Sequence, residues 1–187
     1  MATQPRTTRL TYEDLRAFPE DNLRRELIDG ELVVTAAPST RHQDVVVRLC
    51  IRLGLYAEER GGKLYVAPTD VFLADTNVVE PDVLFVRPEN VSKVERPFVR
   101  GAPDLVVEVS SPSTRRLELV RKRELYERFG IPEYWFVDLE ADRVEVYRLE
   151  EARHGPPALL SRADTLESPQ APGFSIPVAD LLGPSED

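Results

Sequence analysis

The sequence predicts a mixed α/β (α+β) domain with a mixed central sheet flanked by helices. Short runs rich in Val, Leu and Phe alternate in part with segments of helical periodicity, a pattern typical of this class. Turn signals between some of the runs indicate hairpins as well. With 187 residues and 42% hydrophobic content, the chain can fill one core, so we expect a single domain over residues 1–187 with its core at about 11–182.

The first predicted elements are a short helix, a hairpin and a longer helix. We place the short helix at about residues 11–18 and the hairpin turn at Asp29-Gly30, between the runs RELI and ELVVT. Asp-Gly between two apolar runs is typical of a two-residue turn. The segment PSTRHQDVVVRLCIRLGLYAEERGG then predicts a helix that begins near Ser39 or Thr40 and ends at Gly61-Gly62.

The second half of the chain predicts further strands and two more helices. KLYVAPTDVFLA and EPDVLFVRP, separated by DTNV, predict paired strands, and APDLVVEVSS predicts another strand. A helix follows at about residues 114–129 and ends at Gly130 and Pro132. EYWFVDLEADRVEVYRLE predicts a strand, a turn and a strand. For the tail we predict irregular connections, a short strand around DTLES and a closing helix at VADLLG.

The composition limits the cellular compartment that we expect and the kinds of metal site that the chain can form. No apolar stretch approaches the ~18 residues that a membrane span needs, and MATQPRTTRL lacks the apolar segment of a secretory signal. We therefore expect a cytoplasmic protein without a membrane partner. Cys50 is the only cysteine, and there are two histidines, His42 and His154, which excludes a thiolate cluster or a three-histidine site within one chain. Any metal would be held mainly by oxygen.

Net charge bears on nucleic-acid binding. The value of −9 weighs against field-driven attraction to a polyanion, because most nucleic-acid binders present a basic surface. A local basic groove on an acidic body can still engage phosphates. A cluster of carboxylates that binds a cation would also increase the negative total.

Two acidic residues lie in otherwise apolar strand segments. Glu108 is in PDLVVEVS, and Asp82 follows Pro81 at the start of DVLFV. A buried carboxylate without a partner costs several kcal/mol, so we expect a positive group near each. The two acids could together hold one Mg²⁺. Alternatively, each caps a helix, pairs with an arginine or faces water at a strand end.

The helix after the Glu108 strand carries a lysine on its apolar face. At about 100° per residue, four hydrophobic residues share a sector of roughly 120°: Leu119, Leu125, Tyr126 and Phe129. Lys122 lies in the middle of this sector. Because the sector faces the sheet, we predict that Lys122 points towards Glu108. A functional amine, a structural ion pair with Glu108 and a side chain that reaches solvent along its aliphatic stem remain alternatives.

Motifs along the chain resemble one bacterial family. They occur in order between about Thr11 and Leu182: ELIDGELVV, PTDVFL, EPDVLFV, PDLVVEVSSPST, the lysine and tyrosine of KRELY, and GIPEYWFVD. Together they resemble the bacterial "putative restriction endonuclease" family of the PD-(D/E)XK nuclease superfamily, long catalogued as a domain of unknown function. The resemblance implies a restriction-endonuclease-like core with metal-binding acids at the mouth of the central strands.

The resemblance also implies roles for individual residues. Asp82 and Glu108 would be the ligands of Mg²⁺ or Mn²⁺, with the backbone carbonyl of Val109 as a third oxygen. The lysine expected two residues after the glutamate is replaced by Ser110. Lys122 fits the position of an amine that has migrated to the following helix. It would orient the attacking water or stabilise developing charge while remaining cationic.

Several further residues have two interpretations. Glu26 is either an outer ligand of the site or part of a surface ion pair with Arg24 or Arg25. Tyr126 either hydrogen-bonds within the site or fills the core, and His42 is expected to cap a helix or pack. One group of arginines could contact phosphate or form a solvated helix face: Arg115, Arg116, Arg121, Arg123 and Arg128.

The implied function is metal-dependent hydrolysis of DNA phosphodiester bonds by an endonuclease of the restriction type. Such enzymes act as dimers to cut both strands, so we expect a homodimer or a higher homo-oligomer. The alternative is a catalytically silent protein that keeps the nuclease fold as an oligomeric binding or structural module. Hydrolysis of another phosphate ester is a third possibility.

Overall fold

The computed structural model describes residues 9–19, 21, 23–110 and 115–184. The helices in this part of the chain are α1 (Tyr12–Arg16), α2 (Thr40–Arg60), α3 (Arg123–Arg128) and α4 (Val178–Leu182). A 3₁₀ helix covers Pro88–Lys93, and a π-helical segment, Leu117–Lys122, leads directly into α3. None of the described helices combines the length and apolar character needed to cross a membrane.

The strands of the described residues form three sheets. In chain order they are β1 (Arg24–Ile28), β2 (Glu31–Thr35), β3 (Lys63–Val66), β4 (Val71–Ala74), β5 (Asn77–Val79), β6 (Val83–Val86), β7 (Val99–Arg100), β8 (Leu105–Val109), β9 (Glu133–Asp138), β10 (Arg143–Glu150), β11 (Arg153–His154), β12 (Ala158–Leu160), β13 (Thr165–Ser168) and β14 (Ala171–Pro177). The central sheet has the order β11-β10-β9-β8-β6-β3, and β12 also pairs with β10. β8 and β9 are parallel, and the other pairs in this sheet are antiparallel.

The central sheet is covered on both faces. One face packs against α2, α4 and the β13–β14 hairpin. The other face packs against α3 and the smaller sheet, which has the order β2-β1-β5-β4-β7. Because side chains alternate along a strand, Val107 and Val109 face α2, whereas Val106 and Glu108 face α3. Glu108 therefore lies between the central sheet and its α3 layer, with no exposed surface.

Local signals in the sequence set the ends of the first elements. Asp29 and Gly30 both have positive φ, +54° and +78°, as the predicted two-residue turn between β1 and β2 requires. The Ser39 hydroxyl accepts a hydrogen bond from the His42 backbone N–H at 3.2 Å, which caps α2. Gly61, at φ +79°, ends that helix in the left-handed conformation.

Two parts of the sheet differ from the prediction. The run KLYVAPTDVFLA is not one strand: β3 pairs with β6 in the central sheet, and β4 pairs with β5 in the smaller sheet. Pro68 lies between the two strands and cannot donate a ladder hydrogen bond. The tail also contains more strand than predicted, because β13 continues into β14 through a tight hairpin, and β11 and β12 add to the edge of β10.

The helix predicted at about residues 114–129 is only partly α-helical. Residue 114 lies outside the described residues. Over Leu117–Lys122 the backbone forms a π-helix, whose i→i+5 bonds widen the turn, before regular α-helix resumes in α3. Such segments occur frequently at functional sites, and this one carries two buried charged side chains, Glu118 and Lys122.

Candidate functional site

The predicted acids lie side by side where β6 begins and β8 ends, in the middle of the central sheet. Val83 of β6 pairs with Val107 of β8, so Asp82 and Glu108 stand one residue beyond this pair on neighbouring strands. Both side chains are buried. Glu26 of β1 reaches the same place from the smaller sheet, and its carboxylate accepts a hydrogen bond from the Glu80 backbone N–H at 2.8 Å.

The Asp82 carboxylate has partners on both oxygens. Oδ1 accepts a hydrogen bond from Arg24 Nη1 at 2.7 Å. Oδ2 accepts one from the Val109 backbone N–H at 2.7 Å and lies 3.1 Å from His42 Nε2. Burial opposes ionisation of Asp82, but the hydrogen bond to His42 and the charge of Arg24 outweigh it and hold the pKa of Asp82 below its usual range. An ionised carboxylate only accepts, so His42 Nε2 carries the proton in this contact.

Glu108 uses one oxygen for its hydrogen bonds. Oε1 accepts from Lys122 Nζ at 2.9 Å and from the Tyr126 hydroxyl at 2.5 Å. Oε2 is buried and has no hydrogen-bond partner among the described residues. Burial raises the pKa of Glu108, and the charge of Lys122 partly offsets this effect. One carboxylate oxygen is thus anchored and the other retains its capacity to bind a positive group.

Lys122 is buried, with 1% of its side chain exposed, and bridges two acids. Its Nζ lies 2.8 Å from Glu26 Oε1 and 2.9 Å from Glu108 Oε1. Burial disfavours the protonated amine, but the charges of Glu108 and Glu26 outweigh burial and raise the pKa of Lys122 above its ordinary value. Lys122 therefore points towards Glu108, as its place in the apolar sector predicted, and stays cationic at neutral pH.

A third acid, Glu118, belongs to the same cluster and was missed in the sequence. Asp82, Glu108 and Glu118 each place a carboxylate oxygen within 4.8 Å of the other two, and all three side chains are buried. Glu118 precedes Lys122 by four residues, about 40° around an α-helix, so it falls within the apolar sector that identified the lysine. The signal that could have found it was a second charged residue in that sector.

These three acids have the composition of a divalent cation site. Neighbouring oxygens on an octahedral Mg²⁺ ion lie about 3.0 Å apart, because each bond is about 2.1 Å long, so binding would draw the three carboxylate oxygens closer together than their present spacing of up to 4.8 Å. Hard oxygen donors suit Mg²⁺ and Mn²⁺. The buried Glu108 Oε2, which accepts no hydrogen bond from the described residues, also fits a ligand atom. The residues present therefore fit the metal that the family resemblance implied.

A cavity of about 420 Å³ opens beside Asp82. Its lining includes polar side chains from three parts of the chain: Arg24, His42, Gln43, Glu80 and Asp82. Half of the apolar wall comes from the end of β3 and the residues that follow it, Val66, Ala67 and Pro68. The cavity gives solvent and a small polar group access to the edge of the carboxylate cluster.

The structure places three further residues of the sequence analysis: Glu26, Tyr126 and His42. Glu26 is fully buried in the cluster, so its contact with Arg24 at 3.9 Å is not at the surface, and its nearest charged partner is Lys122 at 2.8 Å. Tyr126 both packs in the core and donates its hydroxyl hydrogen to Glu108. The prediction for His42 was incomplete: it packs at the start of α2, but its ring also contacts Asp82, because the capped first turn of α2 lies over the end of β6.

Most of the arginines near α3 are engaged with the protein itself. Arg115 pairs with Asp138, Arg121 with Glu31 and Arg128 with Asp29, at 2.7 to 2.8 Å. The Arg123 guanidinium lies over the Tyr147 ring, 5.6 Å from its centroid. This arrangement favours the interpretation as a solvated helix face over a row of phosphate contacts.

Glu80, at the rim of the cavity, predicts a pH-dependent stability. Burial, followed by the charge of Glu26, raises the pKa of Glu80 from 4.5 to about 7. Because the folded value is the higher one, the stabilisation is fully present below about pH 4.5 and is lost as the pH rises through about 7. We expect the stability advantage of the wild type over Glu80→Gln to shrink between about pH 5 and 8, measured by urea unfolding in EDTA. An advantage that stays constant or grows would contradict this assignment.

The chain is similar to a known protein family and to a solved structure. The chain matches the model of the Uma2 family, described as "Putative restriction endonuclease", over residues 11–179. Among solved structures it is similar to that of "a putative nuclease belonging to DUF820" from Anabaena variabilis ATCC 29413, with a TM-score of 0.78. The identity is 17%, over 92% of this chain and 97% of the other. No curated protein matches the chain.

The two findings carry different weight. At 17% identity, the structural similarity shows the fold, and it confirms the predicted mixed α/β class with a nuclease-like core. The family match covers most of the chain and begins at the position where the motif resemblance begins. This chain therefore belongs to the Uma2 family of restriction-endonuclease-like proteins, as its motifs predicted.

Proposed function

We propose that this protein is a metal-dependent endonuclease that hydrolyses DNA phosphodiester bonds at the cluster of Asp82, Glu108 and Lys122. The main support is the convergence of these side chains. Asp82 and Glu108, on neighbouring strands, bring carboxylate oxygens within 4.8 Å of each other, and Lys122 from the following helix donates to Glu108 at 2.9 Å. A cavity opens beside Asp82. Family membership and the nuclease-like fold support the same reaction class.

The cation in this proposal is Mg²⁺ or Mn²⁺, held by Asp82, Glu108 and Glu118, with the Val109 carbonyl as a further oxygen. When bound, such an ion supplies Lewis-acid polarisation and neutralises charge that develops on the phosphate. Val109 also has a second role, since its backbone N–H fixes Asp82 Oδ2 at 2.7 Å. Together with His42 Nε2, this contact orients the Asp82 carboxylate.

Lys122 and Tyr126 keep their protons and donate hydrogen bonds to Glu108. Lys122 stays protonated between Glu26 and Glu108, so it acts as a fixed positive charge and hydrogen-bond donor, not as the base. Tyr126 donates to Glu108 Oε1, and burial together with the Glu108 charge raises the pKa of Tyr126 well above its usual value. A rigid set of donors that needs little reorganisation is the usual basis of electrostatic catalysis.

DNA is the proposed substrate, and a homodimer or higher oligomer is the proposed assembly. Cutting both strands of a duplex needs two such centres, and a two-fold assembly supplies them with one kind of interface. The acidic total charge predicts weak binding away from the site, so affinity for DNA should depend on the divalent cation more than on general attraction.

A cleavage assay tests the proposal. Supercoiled plasmid and single-stranded DNA are incubated with the protein in Mg²⁺ or Mn²⁺, in parallel with EDTA and with an Asp82→Ala variant purified in the same way. We expect cleavage by the wild type in at least one metal, and none with EDTA or the variant. Equal cleavage by the variant would indicate a contaminating nuclease. Turnover of bis(p-nitrophenyl) phosphate without DNA cleavage would indicate another phosphodiester substrate, and no turnover at all would contradict the proposal.

A further inference from the structure

Arg24, the first residue of β1, places its guanidinium among the carboxylates of the cluster. Nη1 donates to Asp82 Oδ1 at 2.7 Å, and Nη2 donates to the Glu80 carbonyl. Nη2 also lies 3.6 Å from Glu108 Oε2. Arg24 thus spans the two acids that the proposed function assigns to the cation, and it contacts the Glu108 oxygen that accepts no hydrogen bond within the described part of the chain.

The contacts of Arg24 are uneven. Its hydrogen bonds are to Asp82 and to the Glu80 carbonyl, whereas Glu108 and Glu26 are 3.6 and 3.9 Å away and attract it by charge alone. Nε is buried and has no hydrogen-bond partner among the residues that the structure describes. A guanidinium has five donors in a fixed plane, so this position leaves part of its capacity unused.

A divalent cation and the guanidinium cannot share this position. An ion bound by Asp82 and Glu108 would need their oxygens at about 2.1 Å, in the region that the guanidinium spans. Their positive charges would also repel each other strongly at such a separation in a buried site. Binding of the cation therefore requires the Arg24 guanidinium to move away from Asp82 Oδ1 and from Glu108 Oε2.

The structure provides a place for the displaced side chain. Arg24 lines the cavity of about 420 Å³ beside Asp82 and keeps 22% of its side chain exposed. A change of side-chain rotamer could move the guanidinium from the carboxylates into the cavity without moving β1. In the cavity it would face the solvent side of the cation site, where a phosphodiester would approach. Arginine binds phosphate through two parallel hydrogen bonds, which makes it well suited to that contact.

We propose that Arg24 alternates between two partners: it pairs with Asp82 and Glu108 while no divalent cation is bound, and it turns into the cavity to bind the substrate phosphate once the cation is bound. The inference rests on the proposed nuclease function and adds a residue to it. It makes cation binding and phosphate binding cooperative, because the cation releases the guanidinium that the phosphate uses. By linkage, the phosphate must favour cation binding by the same factor.

Manganese binding by isothermal titration calorimetry tests the first half of the exchange. We expect Arg24→Gln to bind Mn²⁺ about tenfold more tightly than the wild type, because the cation no longer displaces a competing group. Arg25→Gln is the matched control: it removes the same charge from the next residue, which pairs with the exposed Asp21, and we expect an affinity within about twofold of the wild type. Equal or weaker Mn²⁺ binding by Arg24→Gln would overturn the proposal.

DNA binding tests the second half. Fluorescence anisotropy with a labelled duplex is measured in Ca²⁺, which replaces the catalytic cation in binding experiments, and in EDTA. We expect Ca²⁺ to tighten DNA binding by the wild type and by Arg25→Gln, and we expect the gain to fall at least about fivefold in Arg24→Gln. An unchanged gain would overturn the proposal. DNA cleavage by the wild type combined with this outcome would leave the nuclease function intact.

A Mn²⁺-soaked crystal of the wild type provides a readout that does not depend on the folding of a variant. We expect density for the ion between Asp82 and Glu108, and a guanidinium that has left Asp82 Oδ1. Density for the ion with Arg24 still bound to both acids would overturn the exchange but not the metal site. Absence of Mn²⁺ binding by the wild type and by Arg24→Gln alike would overturn both the exchange and the nuclease proposal.

Discussion

We expect Lys122→Met to lower the free energy of unfolding by about 3–5 kcal/mol, the usual loss when one partner of a buried ion pair is removed. Methionine keeps most of the length and volume of the side chain but removes the ammonium that bridges Glu26 and Glu108, which leaves only the more distant Arg24 guanidinium near both acids. Both acids are fully buried, so water does not replace the lost ammonium. The measurement is urea unfolding at neutral pH in EDTA.

Two comparisons separate this effect from a general loss of charge. Arg121→Met removes a cation one residue earlier, where the pair with Glu31 is exposed, and should change stability by under about 1 kcal/mol. Burial raises the pKa of Glu108, so the loss in Lys122→Met should also shrink as the pH falls, because protonation of Glu108 removes its uncompensated charge. A loss below about 1 kcal/mol would show that the ammonium is not the cation on which the cluster depends.

We expect Glu108→Gln to lower the rate of DNA cleavage by at least about a hundredfold, because a metal site supplies several kcal/mol of charge stabilisation in the transition state. Glutamine has nearly the same size and still accepts the hydrogen bond from Tyr126, so the variant should fold. It lacks the negative charge that would hold the cation. The measurement is plasmid cleavage in Mn²⁺ at saturating protein, with the thermal midpoint of each protein recorded alongside.

Glu133→Gln is the matched control for this variant. Glu133 is also fully buried and lies on the neighbouring strand β9, but it is paired in register with Leu105, at the other end of β8. Its carboxylate accepts hydrogen bonds from Trp135 and Ser168, away from the cluster. We expect this substitution to affect stability and to leave cleavage per folded molecule unchanged. Similar rates for Glu108→Gln and the wild type would remove Glu108 from the proposed centre.

Local periodicity explains why Lys122 could be predicted from the sequence. A lysine in the centre of an apolar helical sector must face the sheet, and the preceding strand presents Glu108 there. The Asp29-Gly30 turn and the capped start of α2 could also be predicted from the sequence, because each depends on residues close together in the chain. Glu118 fell within the same sector as Lys122 and needed only a search for a second charge.

Arg24 and His42 could not be placed by such arguments. Each reaches Asp82 across a large sequence separation, through the packing of the smaller sheet and of α2 on the central sheet. The division of KLYVAPTDVFLA between two sheets has the same origin, since strand partners are chosen by the whole fold. The π-helical segment depends on hydrogen-bond spacing that a 100° wheel does not represent.

The cluster joins two sheets, and this has a consequence during synthesis on the ribosome. Arg24 and Glu26 emerge early in the nascent chain, whereas Lys122 and Tyr126 follow about a hundred residues later, or some seconds at ordinary elongation rates. Until that helix docks, Glu26 and Glu108 lack the ammonium that bridges them. A nascent chain or fragment that ends before Lys122 therefore lacks both the amine and the tyrosine of the centre, so the full set of side chains exists only in molecules that extend through this helix.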